Sequence, residues 1–325
     1  MTSSARFGVM TSSARFGVML PRDLPASQVI DFVQRAEQLG FHEVWVVEDL
    51  GYRGGIAQAA AALGCTTSIR IGVGILPAAA RNVAFTAMEI ATLEALHPGR
   101  LDVGIGHGMP DWMASLGIWP RKPLTFLDGY VQSLGALLRG EAVTLAEGAD
   151  PVALDPSALP PAVPPIVFGV RGPRSLAVSG RLADGTVLAE PTVPEYARAA
   201  LASIATDRPH RLVAYNLAVV GDDAAAALSA VRPALQWVGE VDAAPHIDPL
   251  DIADELRALR ASSADRHEFV ERMPDEWVAR LALAGTPEYV RARLDQLDGA
   301  GVTDHVLIPV GDDPLRALDS LARVL

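Results

Sequence analysis

The stretch "VFGVRGPRSLAVSGRLADG" (residues 167–185) runs from an apolar strand into Gly172, Pro173, Arg174 and Ser175, with nothing acidic beside them. Proline suits the first position of a helix and glycine the cap before it. The amides that follow have no partner within the helix and carry the positive end of its dipole, so an anion such as a phosphate could rest there. Arg174 would add a fork of donors and Ser175 a hydroxyl. An ordinary capped helix with a solvent-facing arginine fits the same residues.

His107 stands between two glycines in "RLDVGIGHG" (residues 100–108). There an imidazole could donate a proton near neutral pH, or simply bond to the backbone and shape a pocket. Glu48 and Asp49 are adjacent, so on a strand only one of them can point inward. Arg81 could face a bound anion or pair with Glu48 or Glu89. Met109, Trp112 and Trp119 suit the apolar roof of a pocket. The seven histidines are scattered, with no His-x-x-His or Glu-x-x-His pair sharing a helix face, so no metal site is expected. There is no nucleophile elbow and no P-loop.

Strand-length apolar runs that alternate with helical patterns must position these residues. The runs are Arg15 to Leu20, 43–49, 69–77, 100–108, 164–171, 186–191, 211–221 and 304–311. Eight strands alternating with about eight helices in 325 residues predict a parallel (β/α)8 TIM barrel. Reactive groups gather where barrel strands end and helices begin. Glu48, Asp49, Arg81, Asn82, His107 and Glu190 all fall there, and Tyr215 and Asn216 lie within strand seven. His42 and His305 precede their strands and belong at the opposite face. The charged, proline-containing stretch from Glu240 to Glu276 reads as a partly helical insertion before the last strand.

The chain opens with "MTSSARFGV" at residues 1–9, repeated at residues 10–18. Only the second copy runs on into a strand and helix, so residues 1–9 are expected to be surplus and disordered, with one barrel domain over residues 10–325. A formal charge of −12 and a single lysine, Lys122, argue against nucleic acid as a partner. No apolar run approaches the ~20 residues of a membrane span, and a cytoplasmic protein is expected. With one cysteine, Cys65, no disulfide can form within the chain.

Three segments together carry a family resemblance: "FVQRAEQLGFHEVWVVED", "ILPAAARNVAFTAMEIATLEALHPGRLDVGIGHG" and "GVRGPRSLAVSGRLADGTVLAEPTVPEY". From about Arg15 to Gly311 the chain resembles the bacterial luciferase-like superfamily of flavin- and deazaflavin-dependent oxidoreductases. The resemblance implies F420 or FMN as cofactor and a small organic molecule as substrate. It places the cofactor phosphate on the loop after strand five, here Gly172, Pro173, Arg174 and Ser175, with Gly169, Val170 and Arg171 among the cofactor-binding residues. It also implies a non-proline cis peptide against the cofactor ring at about Val73, Gly74 and Ile75. Arg81, Asn82, Gly106 and Glu190 would lie near the cofactor, while His107 and Glu48 would be catalytic.

Departures from the family pattern matter too. Val83 replaces a common proline, so the loop after strand three is expected to be less rigid. Glu48, Asp49 and Met109 stand where deazaflavin-dependent sugar-phosphate dehydrogenases have an Asp-His pair and a glutamate, so sugar-phosphate oxidation by their route is not expected. The resemblance also implies homodimers formed through the helices flanking strands two and three. Its alternatives are hydride transfer with F420, monooxygenation with FMN and O2, and a non-catalytic flavin-binding or partner subunit.

Overall fold

The structure is a computed structural model that describes residues 14–325. The first copy of the repeat lies outside the described residues. Nine parallel strands form one sheet: β1 (Arg15–Met19), β2 (Glu43–Val46), β3 (Arg70–Pro77), β4 (Leu101–Gly106), β5 (Ile166–Gly169), β6 (Gly185–Leu188), β7 (Arg211–Val220), β8 (Leu283–Gly285) and β9 (Asp304–Pro309). Strand β9 pairs with β1 on one side and β7 on the other, and β6 pairs with β7, so eight strands close into a barrel. This is the expected TIM barrel.

Helices lie between the strands. They are α1 (Val29–Leu39), α2 (Gly55–Gly64), α3 (Val83–Leu96), α4 (Pro110–Ser115), α5 (Pro123–Leu138), α6 (Pro173–Leu182), α7 (Pro194–Ile204) and α8 (Ala224–Val231). The insertion contributes α9 (Ala244–Ile247), α10 (Ala253–Ala261), α11 (Arg266–Arg272) and α12 (Asp275–Leu281), before α13 (Pro287–Asp298) and α14 (Pro314–Leu321). Just after the insertion comes β8, which the sequence reading missed. That strand pairs only with the far end of β7, Ala218 to Val220, outside the barrel ring.

Several strands are shorter than their apolar runs. Strand β2 stops at Val46 and β4 at Gly106, so Glu48, Asp49 and His107 stand on the loops just beyond. Helix α6 ends at Leu182, and Gly185 opens β6 rather than closing the helix.

Trp45 and Ile75 are packed against strand glycines. A methyl group on Gly72 would collide with the Trp45 ring, and one on Gly169 would collide with Ile75. The same addition at Gly104 would fall 2.9 Å from Ile75 Cγ2, and at Gly106 it would fall 3.1 Å from Ile75 Cδ1. Backbone comes closer still at the two β4 positions, with Val73 O 2.1 Å from an added methyl on Gly104 and Gly169 O 2.5 Å from one on Gly106, so these glycines first of all let neighbouring strands approach, and Gly169 accommodates Ile75. A non-proline cis peptide joins Gly74 and Ile75, at the position that the resemblance implied. The β3–β4 register shifts there, between Val73 and Leu76.

Six charged residues at or near the starts of their strands close the bottom. Arg211 donates to Asp102 Oδ1 at 2.7 Å and to Glu43 Oε1 and Asp304 Oδ1 at 2.8 Å. Arg70 holds Asp102 at 2.7 Å, and Arg15 reaches Glu43 at 3.1 Å. Three guanidinium groups therefore face three buried carboxyl groups, of which Glu43 is raised to about 7 by burial and by the charge of Asp304. His42 and His305 sit at this same end, where His42 Nδ1 accepts from the Phe16 amide and His305 Nε2 bonds Asp298.

A carboxylate on α1 fixes the turn into β3. Glu37 Oε1 accepts from the amides of Thr67, Ser68 and Ile69 at 2.9, 2.7 and 3.0 Å. Burial opposes ionisation, but these donors overcome it and hold the carboxyl at about 2. Because the folded value lies below the unfolded one, the stabilisation is full above the ordinary carboxyl range and is lost as pH falls toward 2. Glu37→Gln is expected to cost about 2 kcal/mol at pH 7, a figure discounted for solvent screening. Urea unfolding at pH 7 and pH 3 checks this: the gap between variant and parent should narrow at pH 3.

Candidate active site at the mouth of the barrel

Helix α6 starts as its sequence requires. Gly172 is an extended N-cap, Pro173 opens the helix, and no side chain caps it. The first amide to bond back is that of Leu176, to Gly172 O at 2.9 Å, so the Arg174 and Ser175 amides point outward without helical partners. Arg174 is exposed and has no ion pair among the described residues.

His107 faces this corner. Its Nε2 lies 3.2 Å from Ser175 Oγ, and the Trp119 ring is tilted over it at 6.4 Å. Partial burial pushes the imidazole below its ordinary value, so it is neutral at pH 7. On the same β5–α6 loop as Gly172, Arg171 donates to Asp242 O of the insertion at 2.9 Å and approaches Met109 Sδ at 3.5 Å. The β5–α6 loop, the β4–α4 loop and the insertion thus meet at one guanidinium.

Across the mouth, both oxygens of Glu48 are engaged. Arg81 binds them in a two-pronged pair, with Nη2 at 2.7 Å from Oε2, and the Gly55 amide that opens α2 donates to Oε2 at 2.6 Å. The bond to Glu48 raises the Arg81 pKa against the opposing effect of burial. Of the two partners considered from sequence, Glu48 is therefore the close one, and Glu89 lies 3.7 Å away. Asp49 pairs with Arg22 at 2.7 Å and holds a loop. The Asn82 side chain accepts from the Ala84 amide at 2.9 Å, so it caps α3. Val73 is buried and packs beneath Gly55.

The floor is built from β3 and β7. Gly74 and Ile75 are partly exposed, whereas Tyr215 is buried beside them. A methyl group on Gly74 would collide with the Tyr215 hydroxyl, which has no hydrogen-bond partner. Burial, reinforced by the charges of Glu190 and Glu43, raises this phenol well above its ordinary value. Glu190 is exposed just beyond β6, yet desolvation by the protein around it raises its carboxyl, and its own backbone amide and Arg171 oppose.

The sequence reading missed His246. It is buried in the insertion, 4.4 Å from the Tyr196 ring, and desolvation lowers it to about 4. No local motif marks it, because its surroundings come from α7 and the loop after β6. Tyr215 was legible only as a polar residue on β7. Its signal is parity, since it shares the inward face with Arg211.

Among the described residues, no group of three or more His, Cys, Asp or Glu is placed to hold a metal ion. No helix among them is long and apolar enough to cross a membrane.

The model of the luciferase-like monooxygenase family matches residues 5–304. The chain is 26% identical over 318 residues to the 5,10-methylenetetrahydromethanopterin reductase of Methanolobus tindarius, covering 94% of this chain and 97% of that protein. It is 30% identical over 286 residues to the F420-dependent glucose-6-phosphate dehydrogenase of Beutenbergia cavernae, covering 80% and 83%. The solved coenzyme F420 dependent tetrahydromethanopterin reductase of Methanopyrus kandleri superposes with a TM-score of 0.77 at 20% identity, over 96% of this chain and 98% of that one. The chain therefore belongs to the luciferase-like monooxygenase family and is an oxidoreductase of that class.

Proposed function

We propose that this oxidoreductase seats the phosphorylated arm of F420 or FMN at the start of α6 and acts on a small organic substrate in the mouth. The carrying observation is that the unpartnered Arg174 and Ser175 amides and the unpaired Arg174 side chain open onto the mouth that holds His107. The residues fit such a group: two free amides, a guanidinium and a hydroxyl suit a phosphate, and the orphaned Tyr215 hydroxyl lies at the floor. The bound ring would supply the hydride, so the protein needs no nucleophile of its own. Relatives named as F420-dependent favour F420 over FMN.

His107 holds or delivers a proton to the substrate. Glu48 orients Arg81 and the start of α2, because the guanidinium and the Gly55 amide already occupy its carboxylate; this replaces the catalytic role expected from sequence. Gly169 makes room for Ile75, and Gly106 lies against the Gly169 carbonyl beside the same side chain. Asn82 fixes the start of α3. Sugar-phosphate oxidation is not proposed, since Glu48, Asp49 and Met109 stand where the histidine and acidic partners of that reaction would.

Fluorescence-quenching titrations with FMN and with F420 test the assignment. One cofactor should bind, and Arg174→Glu should weaken that binding roughly 30- to 100-fold by replacing a charge-assisted donor with a repelling carboxylate. Affinity unchanged in Arg174→Glu would place the phosphate elsewhere.

A homodimer through α2 and α3 is part of the same reading. Phe85, Met88 and Leu96 of α3 are 65%, 52% and 67% exposed, an apolar surface beside the small exposed residues of α2. Phe85→Asp combined with Met88→Asp should give monomers in sedimentation velocity with the fold retained. A parent that is already monomeric would remove this element.

A further inference from the structure

The hydrogen bond between His107 and Ser175 joins the candidate proton donor to the candidate anion seat. We propose that the Ser175 hydroxyl relays anion occupancy at α6 to His107, fixing the imidazole as its Nε2–H tautomer and favouring its protonation. The inference rests on the phosphate seat proposed above and adds what that seat does to the chemistry.

A hydroxyl has one proton. Ser175 Oγ has a single recorded partner among the described residues, His107 Nε2 at 3.2 Å. With the seat empty, the hydroxyl can donate to Nε2 or accept from it. An anion beside the Arg174 and Ser175 amides accepts the hydroxyl proton, so Oγ must then accept from Nε2–H. Nε2 is thereby protonated and Nδ1 is left to exchange protons in the mouth. A proton from solvent adds to Nδ1, and the resulting Nδ1–H passes to the substrate, leaving the neutral Nε2–H ring.

The surroundings leave this relay unopposed. The side chains recorded against the ring are Ser175 from α6 and Trp119 from the α4–α5 connection. No charged group among the described residues shifts the imidazole, and burial alone lowers it. A negative charge one hydroxyl away acts in the opposite sense, raising it by about one pH unit. Linkage requires the reciprocal effect: the anion binds about tenfold more tightly to the protonated ring.

Ring-labelled histidine followed by NMR provides the test, with His107→Gln used to assign the resonance. Sulfate, whose charge does not change between pH 5 and 8, and FMN serve as probes. Expected in the parent are an Nε2–H pattern and an upward shift of the His107 titration on saturation, both absent in Ser175→Ala saturated with FMN. An unchanged tautomer and titration in the saturated parent, or the same response in Ser175→Ala, would overturn the relay while leaving the seat intact. If neither probe moves the Arg174 and Ser175 amide signals, the seat itself fails and the relay falls with it.

Discussion

Arg211→Met is expected to remove about 3–5 kcal/mol of folding stability, a large part of what a domain of this kind possesses. Arg211 is the one side chain that touches all three acidic residues of the bottom layer, Glu43, Asp102 and Asp304. Burial works against its charge, yet Asp102 and Asp304 prevail and raise its pKa. Methionine keeps much of the volume but leaves three carboxylates with exposures of 2% or less sharing only Arg15 and Arg70. Breaking such a cluster on one side is costly because the remaining charges have lost water and gained nothing.

The triple variant Arg211→Met, Asp102→Asn, Asp304→Asn separates this cause from a packing defect, since it removes most of the stranded charge and should recover much of the loss. Urea unfolding followed by intrinsic tryptophan fluorescence, to which the fully buried Trp45 contributes, reads both outcomes. A single variant within about 1 kcal/mol of the parent would mean that water solvates the layer and that the ion pairs contribute little.

His107→Gln is expected to lower kcat by roughly 10²- to 10³-fold while changing cofactor affinity only slightly, in keeping with the loss of one general acid–base group. Glutamine can still donate an N–H to Ser175 Oγ, so the hydrogen bond across the 3.2 Å gap survives. What it cannot do is release and regain a proton. The pH dependence of kcat assigned to the imidazole should therefore vanish. Steady-state kinetics with the reduced cofactor that binds, together with its binding titration, give the two numbers separately. A variant that keeps its kcat would confine His107 to shaping the pocket.

Much of the site was readable before the fold. "GVRGPRS" specifies a strand end, a helix cap and an unblocked N-terminus within seven residues, because each signal is local. The adjacency of Glu48 and Asp49 implied that on a strand only one could point inward, but β2 ends at Val46 and both stand on the loop beyond it, where Arg81 holds Glu48 and Arg22 holds Asp49. The bottom layer was equally visible in principle. Arg15, Glu43, Arg70, Asp102, Arg211 and Asp304 each fall at or near the start of a strand, a pattern that a search confined to strand ends overlooked. Less legible were residues whose surroundings come from distant elements. Glu48 was one of two partners considered for Arg81, and only the fold chose it over Glu89, while His246 is buried by α7 although its own segment reads as a polar insertion.

By itself the sequence determined the alternation of strands and helices, the parallel barrel they build and the open start of α6, because periodicity, caps and turn residues act over a few neighbouring positions. Only the tertiary structure decided that Glu48 serves Arg81, that Gly169 yields to Ile75 while the β4 glycines lie against neighbouring backbone, and that His107 bonds Ser175. Those outcomes depend on which strand ends face one another once the barrel closes, and no local pattern encodes the distance between side chains that meet across it.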